Sequence, residues 1–355
     1  MIDLVLFAGG LAALVGGAEL LVRGASKLAL SLGISPLVVG LTVVALGTSA
    51  PEMAVSVGAV LSGSGDLSVG NAVGSNIFNV LGILGIAAVI TPLAVNLQLI
   101  RQEVPIMIGA AVLLLLLSLD GRLGWFDGLL LMALLAAYVV FLIVQSRAAG
   151  AGTEFDAEVK PASAGGWDST GWAQAALIVV GLALLVGGAE MLVAAAVSFA
   201  RLLGLSEVVI GLTVVAVGTS MPEAAASVMA AVKGERDIAV GNVVGSCVFN
   251  ILGVLGLAAA VSGSGGLPVP ASVLHFDLWV MLAALVACLP IFFTGREVAR
   301  WEGTLFVVYY TAYTAYVVLR AKQHDALPAF SQTMLGFVLP LTVVTLVVTL
   351  LLRRR

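Results

Sequence analysis

The chain has 355 residues, of which 61% are hydrophobic and 10% charged, whereas a soluble domain carries about 25% charged residues. Its formal net charge of −4 is small and its basic residues are scattered, so it lacks the electrostatic footprint of a nucleic-acid-binding protein. Apolar runs recur from Leu4 to Leu351, and at about 20 residues per crossing the length accommodates about ten or eleven membrane-spanning helices.

In chain order, the hydropathy pattern predicts helices over 3–22, 34–61, 67–90, 104–118 and 125–145. Period-two alternation is absent, and the runs are too long for barrel strands. The first run lacks a basic leader and a small-residue cleavage site, so it reads as a retained helix. A stretch rich in Gly, Ala, Ser and acidic residues, 146–172, reads as a cytoplasmic linker. Helices are then predicted over 173–195, 207–232, 238–261, 275–294 and 303–320, with an added helix over 331–351.

The second set repeats the first. Gly40 to Gly85 matches Gly211 to Gly256 at a constant offset of 171 residues, with 29 identities in 46 positions. Gly16-Gly17-Ala18-Glu19 returns as Gly187-Gly188-Ala189-Glu190 at the same offset. Five helices are an odd number, so the second copy enters the membrane inverted. With the N-terminus outside, 12 of the 16 basic residues fall inside, in accord with the positive-inside rule. The turn Ser62-Gly63-Ser64-Gly65-Asp66 has no basic residue, whereas its counterpart, Lys233-Gly234-Glu235-Arg236-Asp237, has two. The expected fold is therefore an all-α polytopic membrane protein. It has a first five-helix repeat (1–145), a linker (146–172), an inverted five-helix repeat (173–320), and a C-terminal transmembrane helix with a basic cytoplasmic end (321–355).

Each repeat places Gly-Thr-Ser-x-Pro-Glu in the middle of its second helix, at Gly47 to Glu52 and at Gly218 to Glu223. A carboxylate at that depth is costly unless it is paired, protonated or hydrated, and no Lys or Arg lies nearby in sequence. Pro51 and Pro222 kink their helices and free carbonyls around Ala45 to Thr48 and Ala216 to Thr219. Together with the hydroxyls of Thr48, Ser49, Thr219 and Ser220, these make an oxygen-only donor set suited to hard cations such as calcium and sodium. The third helix of each half carries Gly-Asn-x-Val-Gly-Ser-x-x-Phe-Asn. Ser75 and Asn79 share one helix face there, as do Ser246 and Asn250.

Other polar residues have simpler readings. Asp66 and Asp237 precede the third helices and read as N-caps. Glu19 reads as an anchor paired to Arg23 one turn later. Cys247 and Cys288 read as small buried hydrophobes. Gly63-Ser64-Gly65-Asp66 matches the Gly-x-Gly-Asp pattern of intramembrane aspartyl proteases, but a second membrane aspartate in a suitable motif is missing, so an enzyme is not expected.

The twin motifs closely resemble the alpha-repeats of the cation/calcium exchanger superfamily, with the sodium/calcium exchanger branch nearest. The resemblance covers both halves. It implies a secondary active antiporter with no cofactor that exchanges calcium for sodium by alternating access. The short linker points to a prokaryotic plasma membrane, in which the chain would be multi-pass. The resemblance further implies that Glu52 and Glu223 bind calcium with the carbonyls of Thr48 and Thr219. Ser49, Ser220, Ser75 and Ser246 would line sodium sites, and Asn79 and Asn250 would complete the cage. Some relatives carry aspartate at one of the last two positions, whereas both are amides here. Proton/calcium exchange and a cation channel are the competing expectations.

Overall fold

A computed structural model describes residues 2–149, 170–202 and 216–345. Helices dominate it, because in hydrocarbon every backbone N–H and C=O must find its partner within its own segment. The first half comprises α1 (Ile2–Leu32), α2 (Pro36–Thr48), α3 (Ala50–Leu61), α4 (Gly65–Ile90), α5 (Leu99–Leu117) and α6 (Trp125–Ala149). The second comprises α7 (Gly171–Leu202), a helical turn at Ala216–Gly218, α8 (Met221–Val232), α9 (Arg236–Val261), α10 (Val273–Phe293) and α11 (Arg300–Ala321). The added helix is α12 (Leu327–Thr345). Most of the expected linker, the start of the helix expected over 207–232, and everything past 345, including Arg353 to Arg355, lie outside the described residues.

The main difference from the expected boundaries has a physical cause. Helix α1 runs well past 22, because nothing in its backbone stops it before Gly33, at φ +63°, and the Ser35-Pro36 start of α2. The helix expected over 34–61 is bent where Pro51 was expected to kink it, and α2 and α3 meet at 42°. Helix α11 spans 22 residues but is less apolar than the eight described helices that are long and apolar enough to cross a membrane. It holds Tyr309, Tyr310, Tyr313 and Tyr316, and the hydroxyls of Thr304, Thr311 and Thr314 return to carbonyls one turn back.

The two halves interlock rather than stand side by side. Helices α1 and α7 pack antiparallel along a seam of glycines spaced by seven residues, the step that returns to one helix face. A Cβ on Gly10 would lie 2.8 Å from the Gly188 carbonyl oxygen, and one on Gly17 would lie 2.8 Å from that of Gly181. Helix α4 meets α11 and α9 meets α6 in the same way. A Cβ on Gly303 would lie 2.7 Å from the Gly85 carbonyl oxygen, and one on Gly128 would lie 2.6 Å from that of Gly256. Short antiparallel strands then tie the halves at both ends of the bundle. Strand β1 (Leu93–Ala94) pairs with β4 (Glu297–Val298), and β2 (Arg122–Leu123) pairs with β3 (Leu267–Pro268).

Buried acids away from the helix break are satisfied by neutral donors. The Glu103 carboxylate accepts from Gln98 Nε2 at 2.9 Å, Gln102 Nε2 at 2.7 Å and the Tyr138 hydroxyl at 2.8 Å. Its counterpart in the second half, Asp277, accepts from the Tyr313 hydroxyl at 2.8 Å. Asp66 and Asp237 are not N-caps. They lie in the first turns of α4 and α9, whose N-caps are Ser64 and Glu235, and there a carboxylate meets the positive end of the helix dipole. Glu19 bonds to Lys233 Nζ at 2.9 Å, tying α1 to the end of α8 instead of serving only its own helix. Both cysteines are free and buried.

The α1–α7 seam predicts a contrast between neighbouring glycines. Gly17→Ala or Gly181→Ala forces a methyl against a backbone carbonyl and should destabilise the protein by about 1–3 kcal/mol. Gly16→Ala, with nothing among the described residues within 4 Å of its Cβ, should be neutral or slightly stabilising. Thermal unfolding of the three variants in detergent checks this, and equal losses at positions 16 and 17 would refute the seam.

Candidate cation-binding site

The break between α2 and α3 follows from three residues. Pro51 has no N–H and leaves the Gly47 carbonyl without its helical donor. Ser49, at φ −82° and ψ 3°, leaves the helical region, and Ala50, Pro51 and Glu52 then start a new helix with proline in its first turn. The second half repeats the break at Ser220, with φ −90° and ψ 12°, before Met221, Pro222 and Glu223. Both glutamates therefore stand in the first turn of a half-helix, where exposed N–H groups and the dipole favour a negative charge.

Ser-x-x-Glu at a helix start is the capping-box pattern, in which the serine would cap its own helix. Here neither serine does. The Ser49 hydroxyl instead donates to Glu223 Oε1 at 3.0 Å, and the Ser220 hydroxyl donates to Glu52 Oε1 at 2.9 Å. Each half thus supplies the donor for the other half's acid. Both glutamates are fully buried and lie within electrostatic reach of one another.

The third helices close the site from both sides. Helix α8, with Glu223, packs on the turn Phe78–Leu84 that carries Asn79, and α3, with Glu52, packs on the turn Phe249–Val254 that carries Asn250. Both turns are π-helical, a local widening common at functional sites. Ser75 Oγ lies 3.0 Å from Ser220 Oγ, and Asn250 Nδ2 donates to Asn76 Oδ1 at 3.1 Å. Asn76 is matched at the repeat offset by Cys247, so the symmetry fails there.

The remaining oxygens define the chemistry. Among the described residues, Glu52 Oε2, Glu223 Oε2, Asn79 Oδ1 and Nδ2, Asn250 Oδ1 and Ser246 Oγ are buried with no hydrogen-bond partner. Unpaired buried oxygens are costly, and a hard cation coordinated by them removes that cost. The Ala45 carbonyl is already engaged, accepting from the Ser49 N–H at 3.0 Å and the Thr48 hydroxyl at 3.4 Å. Ala216 opens the turn before Val217 and Gly218.

One set of residues escaped the sequence reading. The Thr48 hydroxyl bonds to Asn242 Oδ1 at 3.2 Å, and Asn242 Nδ2 bonds to Ser227 Oγ at 2.8 Å. The symmetric chain runs from Thr219 to Asn71 Oδ1 at 3.4 Å and from Asn71 Nδ2 to Ser56 Oγ at 3.2 Å. Asn71 and Asn242 belong to the repeated third-helix motif, and their presence in both copies was the signal available.

A two-fold cage of acids and hydroxyls, enclosed where broken helices of opposite orientation meet inside a membrane bundle, defines a secondary cation antiporter. The sodium/calcium exchanger protein family matches residues 2–144 and 173–319. CaxA of Alkalimonas amylolytica is 38% identical over 273 residues, covering 75% of this chain and 83% of that protein. The sodium/calcium exchanger MaX1 of Methanosarcina acetivorans is 34% identical over 347 residues, covering 88% of this chain and 97% of its own. A solved structure of the sodium-calcium exchanger NCX_Mj, soaked with zero Na+ and Ca2+, superimposes with a TM-score of 0.75 at 28% identity, covering 89% of this chain and 99% of that one. The chain belongs to the sodium/calcium exchanger family. It is a multi-pass membrane transporter, not an enzyme, and it carries out cation/calcium exchange.

The threonine relay yields a prediction. Asn71→Ala or Asn242→Ala removes the amide that links two hydroxyls, a loss of about 1–3 kcal/mol that should weaken calcium binding by about tenfold if the relay holds the threonines in place. Calcium-dependent thermal stabilisation of the purified variants measures it. An unchanged calcium midpoint in both variants would leave the relay a purely structural feature.

Proposed function

We propose that this chain exchanges calcium for sodium, both binding in turn to the cage built on Glu52 and Glu223. The observation that carries this reading is the crossed pairing of Ser49 with Glu223 and of Ser220 with Glu52, which makes one site from both halves. Calcium takes the two carboxylates with the carbonyls of Thr48 and Thr219. Sodium takes subsites lined by Ser49, Ser75, Ser220 and Ser246, and Asn79 and Asn250 complete the centre. Ala45 and Ala216 contribute at most through the backbone. MaX1 and NCX_Mj are both named as sodium/calcium exchangers, which favours sodium as the driving ion.

Competition for the same carboxylates couples the two fluxes, because neither ion can cross while the other holds the cage. Access alternates as α1 and α7 slide together along the bundle on their glycine seam. The N-terminus lies outside. The ion pair of Lys233 with Glu19, on the same helix as Arg23 and Lys27, groups basic residues at one end of the bundle and supports that orientation. The prokaryotic plasma membrane is the setting, in keeping with bacterial and archaeal relatives.

A proton-driven exchange is the second reading. Two buried carboxylates within electrostatic reach titrate as a coupled pair, and two protons would replace sodium.

The experiment is radioactive calcium uptake into proteoliposomes holding the purified chain and loaded with sodium, potassium or acid. Uptake driven by internal sodium is expected. Glu52→Gln and Glu223→Gln should each cut it by about 100-fold, the effect of removing one partner from a buried charged cluster. Uptake driven by acid alone would replace sodium with protons in this mechanism, and flux without any gradient would make the chain a channel.

A further inference from the structure

We infer that the ion pair of Glu19 with Lys233 is a one-sided latch, holding the Lys233 end of the bundle shut so that the resting exchanger opens at the other end. The inference rests on the proposed sliding of α1 and α7, but not on which ion drives calcium.

In an inverted repeat, each contact of α1 with the second half has a counterpart made by α7 with the first. Helix α1 packs along α8, whose far end carries Lys233. Among the described residues, α7 makes no comparable contact along α3, the counterpart of α8. On α3, Gly58 stands where α8 has Met229, and nothing among the described residues lies within 4 Å of the place its Cβ would take. One end of the bundle is therefore covered by α1, while the matching surface at the other end is left open. Exchanging the conformations of the two halves gives the opposite state, with α7 on α3 and α1 away from α8.

The two closures differ in charge. Lys233 Nζ, at the C-cap of α8, donates to Glu19 Oε1 at 2.9 Å. The counterparts of Lys233 and Glu19 at the repeat offset are Ser62 and Glu190. The Ser62 hydroxyl already donates to the Gly58 and Ala59 carbonyls at 2.9 and 3.1 Å, and its turn, through Asp66, has no basic residue. Closing α7 onto α3 thus brings Glu190 to a spent hydroxyl, where closing α1 onto α8 brings Glu19 to an ammonium. Arg23 also attracts Glu19, but it sits one turn away on α1, moves with it and favours neither state. A contact made in one of two states raises the population of that state alone. Both side chains are part-exposed, Lys233 at 33% and Glu19 at 54%, which keeps the bias to a small factor. With the N-terminus outside, the latched end is the inner face, and the resting cage is offered to the outside.

The test reads the other end directly. Spin labels are placed at Ser62→Cys and Glu190→Cys in the full-length chain, with the native cysteines replaced by Cys247→Ala and Cys288→Ala. Pulsed electron resonance in lipid nanodiscs then gives the populations with α7 near to and far from α3, in sodium and in calcium. The far population should dominate with the native pair. Lys233→Ser and Glu19→Gln should each raise the near-to-far ratio by about two- to fivefold, and Lys233→Arg, which keeps the charge, should leave it unchanged. Choline chloride at high concentration should move the native ratio toward that of the variants, because it screens a part-exposed pair. A purely structural role would lower the unfolding temperature without moving the ratio. If Lys233→Ser does not fold, Glu19→Gln carries the same expectation. Two populations whose ratio ignores the pair would overturn the latch alone. A single distance in every variant and every ion would overturn the latch together with the sliding of α1 and α7.

Discussion

A carboxylate inside a bilayer needs a partner, and among the described residues Glu52 and Glu223 bond to none that is permanently charged. Glu52 and Glu223 each receive a hydroxyl and the amino end of a half-helix, with one oxygen left over. Fixed lysines in place of those serines would neutralise the acids and leave no reason for a mobile cation to enter. Neutral donors hold the acids in position without discharging them. Much of the remaining structure serves this arrangement. Proline breaks the helix, the break presents N–H groups to the acid, and the π-helical turns widen the third helices where the asparagines stand.

Much of the fold was legible because membrane helices obey local rules. Apolar length set the spans, the constant offset exposed the duplication, and an odd helix count required inversion. The boundary that missed most was set by backbone rather than by hydropathy, since α1 runs on to Leu32 and stops only at Gly33, whose φ is positive.

Within the site, the glutamates could be read from their depth and repetition, because a buried acid is conspicuous in an apolar run. The bonds around them could not. Ser49 and Glu223 are 174 residues apart, and nothing local in the sequence pairs them. Asn71 and Asn242 lay inside a recognised motif, but their contact with Thr219 and Thr48 depends on how α4 and α9 meet the opposite half. Glu19 likewise found Lys233 rather than only Arg23, because tertiary packing brought the end of α8 to α1.

The crossing of bonds between halves makes each half incomplete alone. One half alone would hold an acid whose hydroxyl donor belongs to the other, and its strands and glycine faces would lack their counterparts. Two copies of the same half, inserted in opposite topologies, would restore every one of these contacts. Asn76 and Cys247 are where that equivalence ends, since joining the halves in one chain lets matched positions carry different side chains, which two identical copies could not.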